Sequence, residues 1–161
     1  IEDLISHRLR NEKLIKCISN KKLKIKKFGI FDLKTFKNKL DGSEHYALTK
    51  GKFTKNKASR VRVISTNVLN SFFNFNKDIF KKSLKHLNKF NNFALILVKG
   101  TNLNPASSEN NKILRYYGIG AQIIKELKIK KMILVSRSIK RVIALDGYGI
   151  KITKQEIMKW K

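Results

Sequence analysis

Only one of the 161 residues is a cysteine, Cys17, and only one is a proline, Pro105. A lone thiol excludes an internal disulfide framework and a cysteine cluster for zinc, and it fits a reducing cytoplasm. Acidic side chains are also scarce, at 11 against 37 basic ones, for a formal net charge of +26. No apolar run approaches the ~20 residues that a membrane-spanning helix requires, and the opening residues carry no signal-peptide pattern. We therefore expect a soluble, cytoplasmic chain with no membrane partner. There is no Walker phosphate loop. His7, His45 and His86 stand far apart without a carboxylate or thiol at ligand spacing, so no metal site is expected from them. The chain opens on Ile1 instead of Met, and we expect it to be a piece of a longer polypeptide.

What remains is a mixture that folds. An apolar content of 42% argues against wholesale disorder, and a chain of this size buries roughly two-thirds of its unfolded surface, enough for one domain with a real core. Thirty of the 37 basic residues are Lys, spread along the whole chain beside many Asn, Ile and Phe. Readers of nucleic acid concentrate Arg for paired contacts and interleave aromatics along one stripe, and no such stripe is present. The charge reads as a solvated background, with nucleic acid attracted only non-specifically and in a salt-sensitive way.

Apolar residues at Ile1, Leu4, Ile5, Leu9, Leu14, Ile15 and Ile18 line one helical face, which predicts an N-terminal helix that also carries Cys17 as a packed thiol. Leu23 and Ile25 then alternate with Lys24 and Lys26 as on a half-exposed strand. Residues 40–43, LDGS, make a turn, followed by strands at 45–49 and 59–66. Helical spacing over 77–90 leads into a compact apolar strand at 93–98. Residues 100–112 are polar and read as a loop. A helix is predicted to start at Gly118 or Gly120 and run to Leu127. A buried strand at 131–135, a short helix at 139–145, an edge strand at 148–152 and a last helical turn near Gln155 complete the pattern. Strands first, then alternating helix and strand, predict an α/β or α+β domain around a mixed sheet.

The glycines of RYYGIGAQII, residues 115–124, leave two readings open: a phosphate-holding turn or an ordinary helix start. The dinucleotide fingerprint needs a third glycine, where this chain has Ile123, and a strand immediately before it. His86, beside Leu84 and Leu87 on a Lys-rich helix, reads as a partly exposed helix residue and not as a general base.

RYYGIGAQII at 115–124, followed by Glu126-Leu127, Lys131-Met132 and the ALDGYG of 144–149, closely resembles the C-terminal part of GTP cyclohydrolase II. Upstream, Asp41-Gly42, His45, Ala47-Leu48, Gly51 and Val61-Arg62-Val63 fall in register with the same family. Residues 1–8, IEDLISHR, resemble the segment that joins this domain to a 3,4-dihydroxy-2-butanone 4-phosphate synthase domain in fused bifunctional proteins. The resemblance implies a linker helix over 1–20 and a GTP cyclohydrolase II-like α/β domain over 21–161, a mixed sheet flanked by helices. It also implies catalytic or phosphate-contacting roles for Arg115, Arg62 and Lys140, with Ser136 standing where the family has threonine. These cations could hold a phosphorylated ligand, or persist as surface charge on a lysine-rich scaffold; both readings stand.

The chain departs from the family at its chemistry. Active members carry His-Ser-Glu-Cys-Leu-Thr-Gly-Asp after the Arg62 strand and Arg-Cys-Asp-Cys-Gly shortly beyond, and the three thiolates bind zinc. Here residues 64–71 read ISTNVLNS, and no cysteine follows. The long stretch beginning Arg-Gln-Glu-Gly-Arg is replaced by a short polar one between Gly100 and Arg115. We therefore expect no zinc, no GTP ring opening, and a structural, dimerising or regulatory role beside a synthase domain, with magnesium confined to that domain; the alternative is residual GTP cyclohydrolase II activity or binding of a nucleotide or flavin phosphate. The expected partners are that synthase domain, a second copy in a homodimer, and a phosphorylated nucleotide or flavin.

Overall fold

The computed structural model describes residues 7, 11–66, 77–99, 109–139 and 148–159, with the side chains of all of these except 66, 77–78 and 109–117. The elements run β1 (Ile15–Ile25), β2 (Gly29–Asn38), β3 (Glu44–Lys50), β4 (Ser59–Thr66), α1 (Lys77–Leu87), β5 (Phe93–Lys99), α2 (Glu109–Glu126), β6 (Lys131–Ser136) and β7 (Lys151–Ile157). The seven strands form one sheet in the order β1-β2-β3-β5-β4-β6-β7. β1, β2, β3 and β5 pair antiparallel in succession, while β4 pairs parallel with β5 and β6, and β6 parallel with β7. This is the mixed α/β sheet that the alternation predicted.

The apolar run FALILVK forms β5 because its neighbours leave neither face to water. Phe93 and Leu95 face a layer that holds Leu84 and Leu87 of α1, whereas Ala94, Ile96 and Val98 face Ile123 and Ile124 of α2. A central strand covered on both sides favours continuous apolar side chains over alternation. Each fully buried leucine of α1 contributes about 1.5–3 kcal/mol. The helices thus lie on opposite faces, and α2 must cross β4 to carry the chain from β5 to β6.

Three expectations are corrected. The N-terminal helical face does not extend to Ile18: His7 and Asn11 are helical, but Ile15 begins β1, paired with Asn38 of β2. Ten ladder pairs with β2 outweigh a periodicity that fitted helix and strand alike, and Cys17 is exposed on that strand instead of packed. The glycine pair does not start a helix, since α2 runs from Glu109 to Glu126 and includes both glycines and the 109–112 stretch read as loop. Gln155 lies in β7, not in a helical turn, because Leu134 of β6 pairs with it. The expected helix at 139–145 and the 100–108 part of the loop fall outside the described residues, Ile139 excepted.

α2 closes with the Lys128 N–H donating to the Lys125 carbonyl and the Ile129 N–H to the Ile124 carbonyl. Lys128 itself takes the left-handed conformation at φ 63°, a position that glycine usually fills.

Candidate functional site

Open α/β sheets receive ligands at the carboxyl ends of their parallel strands. In this chain those ends are Thr66 of β4, Lys99 of β5, Ser136 of β6 and Ile157 of β7. Each helix returns the chain from the carboxyl end of one parallel strand toward the start of the next, so α1 and α2 both begin on this side. Their N-terminal N–H groups lend the edge a partial positive charge.

Arg62 sits on β4 and is only 6% exposed. Its Nε donates to Ser83 Oγ of α1 at 2.7 Å, and its Nη1 donates to the Val135 carbonyl of β6 at 3.3 Å. Ser83 in turn donates to the Ile79 carbonyl one helical turn back, at 2.6 Å. A buried guanidinium needs acceptors for its five N–H groups, and these contacts tie α1, β4 and β6 together. Ser136 is equally buried, and its Oγ donates to the Ser138 carbonyl at 2.7 Å, which folds the turn after β6.

The structure brings Arg62, in the middle of β4, and Ser136, at the end of β6, onto neighbouring strands but opposite faces. Arg62 lies in the α1 layer, whereas Ser136 shares its strand parity with Met132 and Leu134 of the α2 layer. Arg115 lies in α2, with its side chain outside the described residues, as are Lys140 and Asn67.

A second polar group lies in the α1 layer. Arg60 of β4 donates from Nε to Glu156 of β7 at 2.9 Å and stacks its guanidinium 3.4 Å from the Phe90 ring centre. His86 Nε2 lies 3.6 Å from the other Glu156 oxygen. Burial pushes the His86 pKa below its ordinary value, opposed by Glu156 and reinforced by Lys89 and Arg60. His86 is partly buried on its helix, as the sequence suggested, and its ring is held at this cluster.

Two buried polar anchors escaped the reading of the sequence. Gln122, in an otherwise apolar helical run, accepts from the Leu14 N–H at 2.9 Å and donates to the Glu12 carbonyl at 3.1 Å. With the Lys13–Glu126 ion pair at 3.1 Å it clamps the incoming segment to α2 beside a cavity of about 130 Å³. A lone glutamine between apolar neighbours was the available signal. His45 is fully buried on β3, where its Nδ1 accepts from the Lys99 N–H and its Nε2 meets Ser43 Oγ, both at 3.0 Å. Ser43 donates onward to Asp41 Oδ1 at 2.6 Å. The serine stands between histidine and aspartate, the reverse of a hydrolytic triad, where histidine is the middle member.

The zinc site of the resembled family does not fit this donor set. Thiolates bind zinc at about 2.3 Å, whereas the chain's sole thiol is exposed on outermost β1, four strand positions and roughly 19 Å across the sheet from β4. Among the described residues no three His, Cys, Asp or Glu side chains come together as metal ligands, and no helix is long and apolar enough to cross a membrane.

The family model for GTP cyclohydrolase II matches residues 16–89 and 80–156. The riboflavin biosynthesis protein RibBA of Aquifex aeolicus (strain VF5) is 28% identical, over 99% of this chain and 46% of its own length. A 3,4-dihydroxy-2-butanone 4-phosphate synthase of Photobacterium phosphoreum is 30% identical, over 96% and 46%. The crystal structure of RibBX, a two-domain 3,4-dihydroxy-2-butanone 4-phosphate synthase from A. baumannii, superposes with a TM-score of 0.70 at 24% identity, over 98% of this chain and 44% of that one. The chain spans a little under half the length of these relatives.

Proposed function

The chain belongs to the GTP cyclohydrolase II family, and from that membership we propose that it is the cyclohydrolase-like half of a cytoplasmic riboflavin-biosynthesis protein that has lost GTP ring opening. It serves as a structural and dimerising module beside a 3,4-dihydroxy-2-butanone 4-phosphate synthase domain. The observation that carries this reading is the thiol inventory: one cysteine, on the strand farthest from β4 on its side of the sheet. Zinc supplies a nucleophile near neutral pH by acidifying bound water, and a chain with one remote thiol cannot assemble the three-thiolate cage that holds it. Arg62, bound to Ser83 and to the Val135 carbonyl, gives the parallel half its internal tie. Any magnesium requirement belongs to the synthase domain.

A second reading concerns the strand ends. Two helix starts, with Ser136 at the end of β6 and Arg137 just after it, make that edge suited to the phosphates of a nucleotide or flavin. Arg115 and Lys140 would supply the further cations.

Incubation of the pure chain with GTP and either zinc or magnesium should release no formate, and metal analysis should find no stoichiometric zinc. Sustained formate release would refute the loss of activity. The anion-binding reading is tested separately by GTP titration of the unaltered chain and of Arg115→Ala. An identical weak, salt-sensitive heat from both would refute it.

A further inference from the structure

His45 does more than fill space at the start of β3. A backbone N–H always donates, so the Lys99 N–H can bond to Nδ1 only if that nitrogen carries a lone pair. The ring proton of a neutral imidazole must then sit on Nε2, where it donates to Ser43 Oγ. Ser43 passes its own proton toward Asp41, whose Oδ1 also accepts the Ser43 N–H at 2.9 Å. The bonds thus run in one direction, from the end of β5 through the ring to the turn before β3.

That turn is itself tightly built. Asn38 accepts the Leu40 N–H on its side chain and the Gly42 N–H on its carbonyl, both at 2.9 Å, and Gly42 takes φ 70°. The other end of the relay is Lys99, the last residue of β5. Lys99 itself stands at the carboxyl end of the parallel strands, the edge suited to anions.

We propose that His45 is a positioning residue: as the Nε2–H tautomer it latches the carboxyl end of β5 to the 41–43 turn and so fixes the Lys99 backbone at the anion edge. The ligand part of this proposal rests on the anion-binding reading; the latch does not. Holding that strand end in place before a ligand arrives removes part of the ordering cost of binding a phosphorylated group.

Two substitutions separate the halves of the relay. His45→Asn places an amide oxygen near the Nδ1 position and can still accept from Lys99, whereas His45→Gln reaches toward Ser43 and leaves the Lys99 N–H without its partner. In the ¹⁵N-labelled chain, the ring spectrum of His45 should show the Nε2–H tautomer. The Lys99 amide should resist hydrogen exchange in the unaltered chain and in His45→Asn, and lose that protection in His45→Gln. The Leu97 amide, inside the β3–β5 ladder, should stay protected in all three and so report an intact fold. GTP, as the anion probe, should bind His45→Gln about fivefold or more weaker than His45→Asn. An Nδ1–H tautomer, or equal Lys99 protection in both variants, would overturn the latch. Failure of GTP to bind the unaltered chain would overturn the anion reading and with it the ligand part, while the tautomer and amide results still decide the latch.

Discussion

The two halves of this sheet are built on different terms. In β5 all but two of seven residues are buried, and the strand is covered by α1 on one face and α2 on the other. In β1 only Ile15 of eleven residues is buried, and the β1–β2 ribbon carries eight lysines against the single Asp32. β5 is packed from both faces, while the ribbon is lysine-clad: it turns most of β1 to water and sends Phe31 and Phe36 of β2 into the core. The sharpest way to break this contrast is to remove one large apolar side chain from each half. Phe93→Ala, at a fully buried ring 6.0 Å from that of Phe31, should cost about 3–5 kcal/mol in urea unfolding. Leu23→Ala on the ribbon, 36% exposed, should cost under about 1 kcal/mol. Equal losses would mean that the ribbon is packed against something as tightly as the core is.

Charge gives a second contrast, of intermediate size. Arg62→Met leaves Ser83 Oγ and the Val135 carbonyl without their donor inside the α1 layer, and should cost about 2–3 kcal/mol. Lys24→Met on the exposed ribbon should stay within about 0.5 kcal/mol by the same assay. An Arg62→Met chain as stable as the unaltered protein would show that this arginine is held for a ligand and not for the fold.

Much of this division was legible in the sequence. Unbroken apolar runs at 93–98 and 132–135 marked the double-covered strands, and alternation of Leu23 and Ile25 with lysines marked the ribbon. The errors share one physical origin, which is that periodicity over a short window does not see pairing partners. Ile15 and Ile18 fit a helical face and a strand equally well, and only the ladder with β2 decides between them. Gln155 fell to the same ambiguity at β7. Roles for Gln122 and His45 were hidden more deeply, because each depends on backbone groups 108 and 54 residues away in sequence. Arg62 was singled out by its family position, but its bonds to Ser83 and Val135 could not be read from that position.

A smaller effect separates the halves by pH. His86 has its pKa lowered chiefly by burial, so the folded state favours the neutral ring. The corresponding stability is present above the unfolded value of 6.5 and is lost as pH falls through the lowered folded value, where the unfolded chain has already taken up the proton. Urea midpoints should therefore fall on acidification across this window, and His86→Gln should reduce that dependence. An unchanged pH profile in His86→Gln would place the acid sensitivity elsewhere.

The smallest effect bears on the glycine pair itself. If Gly120 served to bring backbone against a phosphate, any side chain there would damage binding, whereas its place inside α2 assigns it a packing role. The helix crosses β4 at this point, and a β-carbon added to Gly120 would lie 3.4 Å from Val63 Cγ1, at the close end of ordinary contact. Glycine within a helix costs about 1 kcal/mol relative to alanine, so a methyl group that fits should recover part of that amount. Gly120→Ala should consequently shift stability by less than about 1 kcal/mol, in the stabilising direction, and leave GTP titration heats unchanged. Destabilisation would show that Val63 and the helix cannot move apart by a few tenths of an ångström. Lost GTP binding at unchanged stability would return the pair to the phosphate-holding role that its one-residue spacing suggested.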